Sequence, residues 1–187
     1  MMKPRVKRFI TSVNASNCYL CWCAETHHGA IIDPSEFSDE IRGVIGQEGI
    51  DLQAIYLTHS HYDHNAAVGE LKSEFDLPVV AVSDEYPNET RISDGEIFRL
   101  GNLEIQVAAI PGHTADSVAF LTEGVAFVGD ALFAAAVGGT SDRRHFEQET
   151  SGVREKLFGL PPDTVLYPGH GPATTVAVER AYNPFFY

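Results

Sequence analysis

The sequence contains the stretch Thr58-His59-Ser60-His61-Tyr62-Asp63-His64, which follows a short apolar run and precedes a predicted helix. Three histidines and one carboxylate therefore lie within six residues, at the turn from a strand into a helix. Imidazole and carboxylate groups are the ligands that zinc, iron and manganese accept in proteins. The alternative interpretation is a surface loop that is rich in histidine by chance.

The spacing of these four donors predicts the directions of their side chains. His59 and His61 are two residues apart, so in an extended segment they point the same way. Asp63 and His64 follow where the chain turns, so they can approach from another side. We therefore expect this one loop to serve two adjacent metal positions.

Three further donors occur later in the chain, and each one stands beside a glycine at the carboxyl end of a predicted strand. They are His113 in IPGHT, Asp130 in FVGDA and His170 in YPGHG. Glycine lets the backbone turn sharply and lets a ligand approach closely. Binding sites of layered α/β folds commonly collect at strand ends. The repetition therefore favours a metal site over a chance loop.

The predicted elements alternate between strands and helices, which is typical of a layered α/β sandwich. The pattern predicts strands over residues 6–13, 18–24, 30–32, 54–57, 78–82, 96–100, 104–109, 118–121, 125–128 and 165–167, and helices over 34–47, 65–74, 146–158 and 174–182. No repeat or Pro/Gly/Ser-rich linker divides the chain, so we expect a single domain over residues 1–187.

Composition narrows the class of protein. A hydrophobic fraction of 44% and a charged fraction of 21% exclude a disordered chain and a coiled coil. The net charge of −13 disfavours a nucleic-acid partner, because an acidic surface repels phosphates. No apolar run reaches the roughly 20 residues of a membrane span. The basic run at residues 1–8 lacks the features of a signal peptide, so we expect a cytoplasmic protein without a membrane partner, as a monomer or small homo-oligomer.

Three cysteines lie in one predicted strand, at Cys18, Cys21 and Cys23. Side chains alternate between the faces of a strand, so Cys21 and Cys23 share one face and Cys18 takes the other. That arrangement is a poor metal cage, and an odd count argues against a disulfide framework. We expect three buried, reduced thiols.

The 58–64 loop followed by a separate His, Asp and His resembles the signature of the metallo-β-lactamase superfamily, and the resemblance covers nearly all of the chain. It implies a four-layer αββα sandwich with two divalent metal ions at its edge, zinc first, with iron or manganese as alternatives. It implies the following ligands: His59, His61 and His113 for one metal, Asp63, His64 and His170 for the other, and Asp130 as the bridge between them.

Within the superfamily, the phrases at residues 112–117, 129–133 and 168–171 look most like glyoxalase II, and residues 179–185 resemble its short bacterial members. The true β-lactamases do not use an aspartate bridge at the position of Asp130. The resemblance implies hydrolysis of a small-molecule thioester, S-D-lactoylglutathione or a related hydroxyacyl thioester.

Two features of the sequence differ from the long type of glyoxalase II. The chain ends at Tyr187, without the C-terminal helical domain that contributes to glutathione binding in that type. Gly139 occupies the position, nine residues after Asp130, that is usually basic and contacts the glutathione. Arg143 and Arg144 could replace that residue, or they are an ordinary solvated charge pair.

The expected chemistry follows from paired cations. A water that bridges two metal ions has a pKa that can approach ~7, so it supplies hydroxide for attack on the thioester carbonyl. Asp63 and Asp130 would hold the metals and orient that water, and no side-chain nucleophile is needed. Asp33 could hold a ligand histidine from behind. Tyr62, between the ligands, either lines the substrate pocket or packs in the core.

Several other functions are compatible with the same residues. Lactonase and ribonuclease relatives in the superfamily are among them, and the acidic surface disfavours the ribonucleases. Related persulfide dioxygenases share the fold and the loop but use one iron on two histidines and an aspartate. A binding domain that has lost activity is another alternative, although no ligand position is missing. The remaining histidines, His27, His28 and His145, are expected outside the site.

Overall fold

The computed structural model describes residues 4–83 and 89–187, and it contains two six-stranded sheets. The first sheet has β1 (Arg5–Ile10), β2 (Asn17–Trp22), β3 (His28–Ile32), β4 (Asp51–Tyr56), β5 (Val79–Ala81) and β6 (Glu89–Arg91), in that spatial order. The second sheet has β7 (Ile97–Leu100), β8 (Leu103–Ala109), β9 (Val118–Thr122), β10 (Val125–Gly129), β11 (Val165–Pro168) and β12 (Thr174–Thr175), again as neighbours in sequence order.

Helices cover the outer faces of the sheets. They are α1 (Asp39–Glu48), α2 (Tyr62–Asn65), α3 (Val68–Phe75), α4 (Arg143–Lys156) and α5 (Val176–Tyr182), and a 3₁₀ turn follows at Pro184–Phe186. No helix in the described part of the chain is long and apolar enough to cross a bilayer.

Three apolar clusters define the layers of the molecule. The first cluster joins α1 and α3 to the first sheet, through side chains such as Ile41, Leu71 and Ile55. The second lies between the two sheets, and the third joins the second sheet to Val153 of α4 and Val176 of α5. Three interfaces separate four layers, so the predicted αββα sandwich is confirmed.

The cysteine strand follows the predicted alternation. Cys18 packs in the first cluster, while Cys21 and Cys23 pack between the sheets. All three are buried and none forms a disulfide. Both faces of β2 are covered, which explains why its sequence is apolar without alternation.

Several predicted boundaries are wrong, for local reasons. Helix α1 begins at Asp39 rather than at residue 34, because the Ser38 side chain accepts a hydrogen bond from the Ile41 N–H and caps it there. The helix predicted over 65–74 is divided into α2 and α3. Strand β1 ends at Ile10, before a turn, rather than at residue 13. Strands β6 and β12 have three and two residues, too few to show a pattern in the sequence.

The directions of the strands bring the candidate residues to one edge of the sandwich. β3 and β4 are parallel, as are β10 and β11, and β8 points the same way as β10 because each is antiparallel to β9. Their carboxyl ends therefore meet. There the Val118 N–H donates to the Thr58 carbonyl at 2.8 Å, which joins the two sheets.

The start of β2 also contacts the end of β11. The Tyr19 hydroxyl donates to the Pro168 carbonyl at 2.6 Å, and the Asn17 side chain donates to the same oxygen at 2.9 Å. The Asn17 N–H donates to the Gly169 carbonyl at 2.7 Å. These bonds hold the segment before His170 against the first sheet.

We predict that Tyr19→Phe lowers the free energy of unfolding by about 1 kcal/mol, the usual value of one buried hydrogen bond. Tyr167→Phe is the matched control, because the Tyr167 ring stacks on Phe127 and lies tilted against Tyr19, while no hydrogen bond of its hydroxyl is seen among the described residues. Urea denaturation of both variants measures the difference. Equal losses in the two variants would contradict the role of the Tyr19 hydroxyl.

Candidate metal centre

All seven predicted donors lie at the edge where the strand ends meet. Their side chains form two adjacent groups of three, and one carboxylate lies between the groups. The first group is His59, His61 and His113, the second is Asp63, His64 and His170, and the carboxylate between them is Asp130. The structure thus brings together every residue that the sequence nominates, and their role as ligands stays a prediction.

The first group consists of three ring nitrogens that converge on one point. His61 Nδ1 lies 3.1 Å from His59 Nε2 and 3.0 Å from His113 Nε2. Nitrogens bound to one tetrahedral zinc at the usual bond length are roughly 3.3 Å apart. The three imidazoles therefore have the separation that one shared metal ion requires.

The second group has one carboxylate and two imidazoles. His170 Nε2 lies 3.4 Å from Asp63 Oδ2, and the ligand atoms of all three residues lie within 4.8 Å of one another. His64 is fully buried, whereas Asp63 and His170 are partly exposed. This group therefore has one deep donor and an open side that a substrate can reach.

Asp130 faces both groups. Its Oδ2 lies 3.6 Å from His113 Nε2 in the first group and 3.6 Å from His170 Nε2 in the second, and its Oδ1 lies 3.4 Å from His64 Nε2. The side chain is 9% exposed. A carboxylate in this position can hold two cations at once.

Hydrogen bonds to Nδ1, the ring nitrogen that faces away from the centre, orient the imidazoles of His59, His64 and His113. The Thr58 hydroxyl donates to Asp33 Oδ2 at 2.7 Å, so it is free to accept from His59 Nδ1 at 3.0 Å. His64 Nδ1 donates to Asp33 Oδ2 at 3.1 Å. His113 Nδ1 donates to the Gly139 carbonyl at 2.7 Å. These bonds turn the Nε2 of each of the three rings toward the centre, which is the orientation that metal ligands require.

In the centre, His64 Nε2 and Asp130 Oδ1 are buried, and neither has a hydrogen-bond partner among the described residues. A buried acceptor without a partner costs about 1–3 kcal/mol. Cations between the two groups would satisfy both atoms, so the residues present fit a pair of divalent metal ions. Nitrogen and oxygen donors suit zinc, iron and manganese alike.

Electrostatics favour cation binding. Burial and the neighbouring imidazoles hold the pKa of His59 far below its ordinary value, so that ring stays neutral and able to bind a metal. Burial raises the pKa of Asp130, although the nearby histidines oppose the shift. The site thus combines a neutral imidazole at His59 with a carboxylate at Asp130 whose negative charge is disfavoured by burial.

Gly169 leaves the space in which the two groups meet. A Cβ at this position would lie 2.0 Å from Asp130 Oδ1 and 2.6 Å from His64 Cε1. The sequence already indicated a close approach of side chains here, because Gly169 directly precedes His170. Any side chain here would displace the Asp130 carboxylate.

The other histidines and the two arginines lie outside both groups. His145 Nδ1 pairs with Asp142 Oδ1 at the start of α4, and His28 Nε2 lies 3.7 Å from Asp51 Oδ2. His27 is exposed, with Nδ1 2.8 Å from the Glu48 carbonyl. Arg143 has a 90% exposed side chain that pairs with Glu147 at 2.8 Å, as a solvated ion pair does.

Tyr62 is 74% exposed, which excludes the alternative that its ring packs in the core. It begins α2, directly between the ligand candidates His61 and Asp63. An exposed aromatic ring at this point is available to a substrate.

Sequence reasoning missed Glu149, a fully buried carboxyl group behind the centre. Neither of its oxygens has a hydrogen-bond partner among the described residues, and Gly112 and Gly138 pack closely against the side chain. Burial raises the pKa of Glu149 to about 8; the nearby His113 N–H, too poorly placed for a full hydrogen bond, opposes this shift, and the charge of Asp130 adds to it. The signal was present, because Glu149 lies four residues before Val153 on the apolar stripe of α4.

An αββα sandwich with paired histidine and carboxylate groups at one edge is the architecture of the metallo-hydrolases. The family model of the Metallo-beta-lactamase superfamily matches residues 11–170, and the chain belongs to this superfamily.

Individual relatives carry different names. The chain is 30% identical to hydroxyacylglutathione hydrolase GloC of Haemophilus influenzae, and the match covers 90% of this chain and 92% of that protein. It is 30% identical to ETHE1 from Myxococcus xanthus. That structural match has a TM-score of 0.88 and covers 96% of this chain and 83% of the other. It is 26% identical to TTHA1623, solved in a di-iron-bound form, with a TM-score of 0.76 and coverage of 98% and 99%.

We predict that Gly169→Ala sharply reduces metal uptake while the protein remains folded, because the added methyl group overlaps Asp130 Oδ1. Gly139→Ala is the control, since no atom lies within 4 Å of a Cβ there. Elemental analysis after dialysis against zinc gives the metal content of each variant. Equal metal content in the two variants would refute the crowding argument.

We predict that Glu149→Gln changes the pH dependence of stability in the metal-free protein. Between the ordinary pKa of 4.5 and the raised value of about 8, the folded protein keeps a proton that the unfolded chain has lost. The stability from this group is therefore complete below pH 4.5 and is lost as the pH rises toward 8. Glutamine does not titrate, so the advantage of the variant over wild type grows with pH by at most about 1.4 kcal/mol per unit.

Denaturation in urea at several pH values between 5 and 8 measures this difference. Glu147→Gln is the control on the same helix, because Glu147 is exposed and pairs with Arg143. A gap between Glu149→Gln and wild type that stays constant with pH would contradict the prediction.

Proposed function

We propose that this protein is a binuclear metal-dependent hydrolase of hydroxyacyl thioesters, with S-D-lactoylglutathione as the first candidate substrate. The observation that carries the proposal is the position of Asp130 between two complete groups of three donors. The name of the Haemophilus influenzae relative, hydroxyacylglutathione hydrolase, supports the choice of substrate class.

Bound metal ions would supply an acidified water and a Lewis acid for the substrate carbonyl. The residues His59, His61 and His113 would hold one ion, and Asp63, His64 and His170 the other. Asp130, whose carboxylate faces both groups, would contribute an oxygen to each ion.

No side-chain nucleophile is required. Ser117 lies nearby in sequence to His113, but its hydroxyl is 2.6 Å from the Thr114 hydroxyl and accepts from the Thr114 N–H, so its role is to shape the loop. The leaving group of a thioester is a thiolate, whose conjugate acid has a pKa near 8.5. It departs without a strong general acid.

The open side of the second group is the approach for substrate. Asp63 and His170 are partly exposed there, and the ring of Tyr62 is available beside them. Residue 139 is usually basic in glyoxalase II and contacts glutathione there, but here it is Gly139, which has no side chain and whose carbonyl accepts from His113. Other residues must therefore recognise the thiol half of the substrate.

A second candidate function is persulfide dioxygenation. ETHE1 is a persulfide dioxygenase, and the structure of ETHE1 from Myxococcus xanthus matches the structure of this chain with a TM-score of 0.88. Such an enzyme uses one iron, held by two histidines and an aspartate. The presence of a full second group, Asp63, His64 and His170, favours the binuclear hydrolase.

The experiment combines elemental analysis with two assays on the purified protein. We expect close to two metal ions per chain, hydrolysis of S-D-lactoylglutathione, and no oxygen uptake with glutathione persulfide. His59→Ala removes one of three donors of the first group, and turnover should fall at least about 100-fold. His145→Ala, a histidine outside both groups, should retain wild-type turnover.

One iron per chain with oxygen uptake on the persulfide would establish the second candidate. Full hydrolytic activity in His59→Ala would refute the metal mechanism, whichever substrate is used.

A further inference from the structure

We propose that Asn14 is a positioning residue for the second metal: its amide holds the Asp63 carboxylate in the orientation that cation binding requires. The proposal rests on the binuclear centre described above and adds an element that the ligand pattern does not contain. The segment that carries it is the β1–β2 loop, which we take as residues 11–17 so that it includes the first residue of β2.

The contact is direct. Asn14 Nδ2 donates to Asp63 Oδ2 at 3.0 Å. The same oxygen lies 3.4 Å from His170 Nε2, on the side of the second group. A carboxylate oxygen has two lone pairs, so one can accept from the amide while the other faces a cation. The hydrogen bond thus fixes the rotation of the carboxylate about its side-chain bonds.

The backbone of the β1–β2 loop is strained at the point where it presents this amide. Asn14 has φ 53° and Ala15 has φ 51°, so two consecutive residues that are not glycine adopt the left-handed conformation. Asparagine tolerates this region, but for alanine it is unfavourable, because its Cβ approaches the following carbonyl oxygen. Such strain persists only where the surrounding structure over-determines the conformation.

Buried hydroxyl groups provide that constraint at the ends of the loop. The hydroxyls of Thr11, Ser16 and Ser35 lie 2.8–2.9 Å from one another in a closed triangle. The Thr11 N–H donates to the Ser16 carbonyl at 2.9 Å, and the Ser16 N–H donates to the Val13 carbonyl at 3.0 Å. The tip of the loop, with Asn14, is therefore held in place before any metal arrives.

Among the described residues, three contacts of this segment reach donors of the second group or their neighbours in the chain. Ser16 forms a β-bridge with His170, and the Asn17 N–H donates to the Gly169 carbonyl. Asn14 contacts Asp63. Two of the three donors of the second group are thus held by one loop, and the first group is supported instead by Thr58 and Gly139. Loss of the amide should affect one metal and spare the other.

Two glycine variants separate positioning from general stability. Glycine adopts the left-handed conformation freely, so Asn14→Gly and Ala15→Gly both preserve the shape of the loop. Only Asn14→Gly removes the amide. Thermal unfolding of the metal-free variants checks that each one is folded.

The readout is zinc titration of the chelator-treated protein against a competing indicator. We expect two binding steps in wild type and in Ala15→Gly. In Asn14→Gly we expect one unchanged step and one weakened at least about 10-fold, the usual effect of losing a hydrogen bond to a metal ligand.

The outcomes distinguish this inference from the proposed function. Two steps of wild-type affinity in Asn14→Gly would overturn the inference and leave the hydrolase proposal intact. A selective loss in Asn14→Gly, in a wild-type protein that binds two zinc ions but hydrolyses no thioester, would support the inference and refute the proposed activity. A single zinc in the wild-type protein would overturn both.

Discussion

The carboxylate of Asp33 is the contact on which the metal centre depends. Its Oδ1 accepts from the Thr58 N–H at 2.8 Å, and its Oδ2 accepts from the Thr58 hydroxyl and from His64 Nδ1. These three bonds fix the start of the 58–64 loop and one deep imidazole together. Thr58 in turn orients His59 and accepts the Val118 N–H on its carbonyl. One buried carboxylate thus links β3, the ligand loop and the second sheet.

Many of the ligands could be predicted from sequence because they directly follow strands. The 58–64 loop, His113, Asp130 and His170 each follow an apolar run that sequence periodicity detects, and parallel strands place those ends together. The four-layer architecture came from the resemblance and is confirmed by the three apolar clusters. Element boundaries were less predictable, since Ser38 caps α1 through a side-chain contact that no periodicity reveals.

The supporting residues were harder to predict, because their roles depend on contacts between distant segments. Asn14 and Asp63 are 49 residues apart, and nothing in the sequence around either one indicates that they meet. Tyr19 and Pro168 are 149 residues apart. Asp33 was nominated only as a partner for some histidine, and the fold decides that the histidine is His64. A motif locates the donors, whereas the tertiary fold decides what orients them.

Backbone strain is concentrated around the centre. Of the six non-glycine residues with positive φ in the described ranges, Asn14, Ala15 and Asp33 lie in segments that hydrogen-bond to ligand candidates or their loop, and Ala135 lies in the segment after Asp130. Strained conformations of this kind persist when packing elsewhere supplies the stability. Here the three apolar clusters supply that stability. The centre carries a second energetic cost, because His64 Nε2 and Asp130 Oδ1 have no hydrogen-bond partner among the described residues. Metal binding would relieve that second cost only in the folded state, so it couples directly to folding. The features that lower the stability of this edge would therefore increase its affinity for cations.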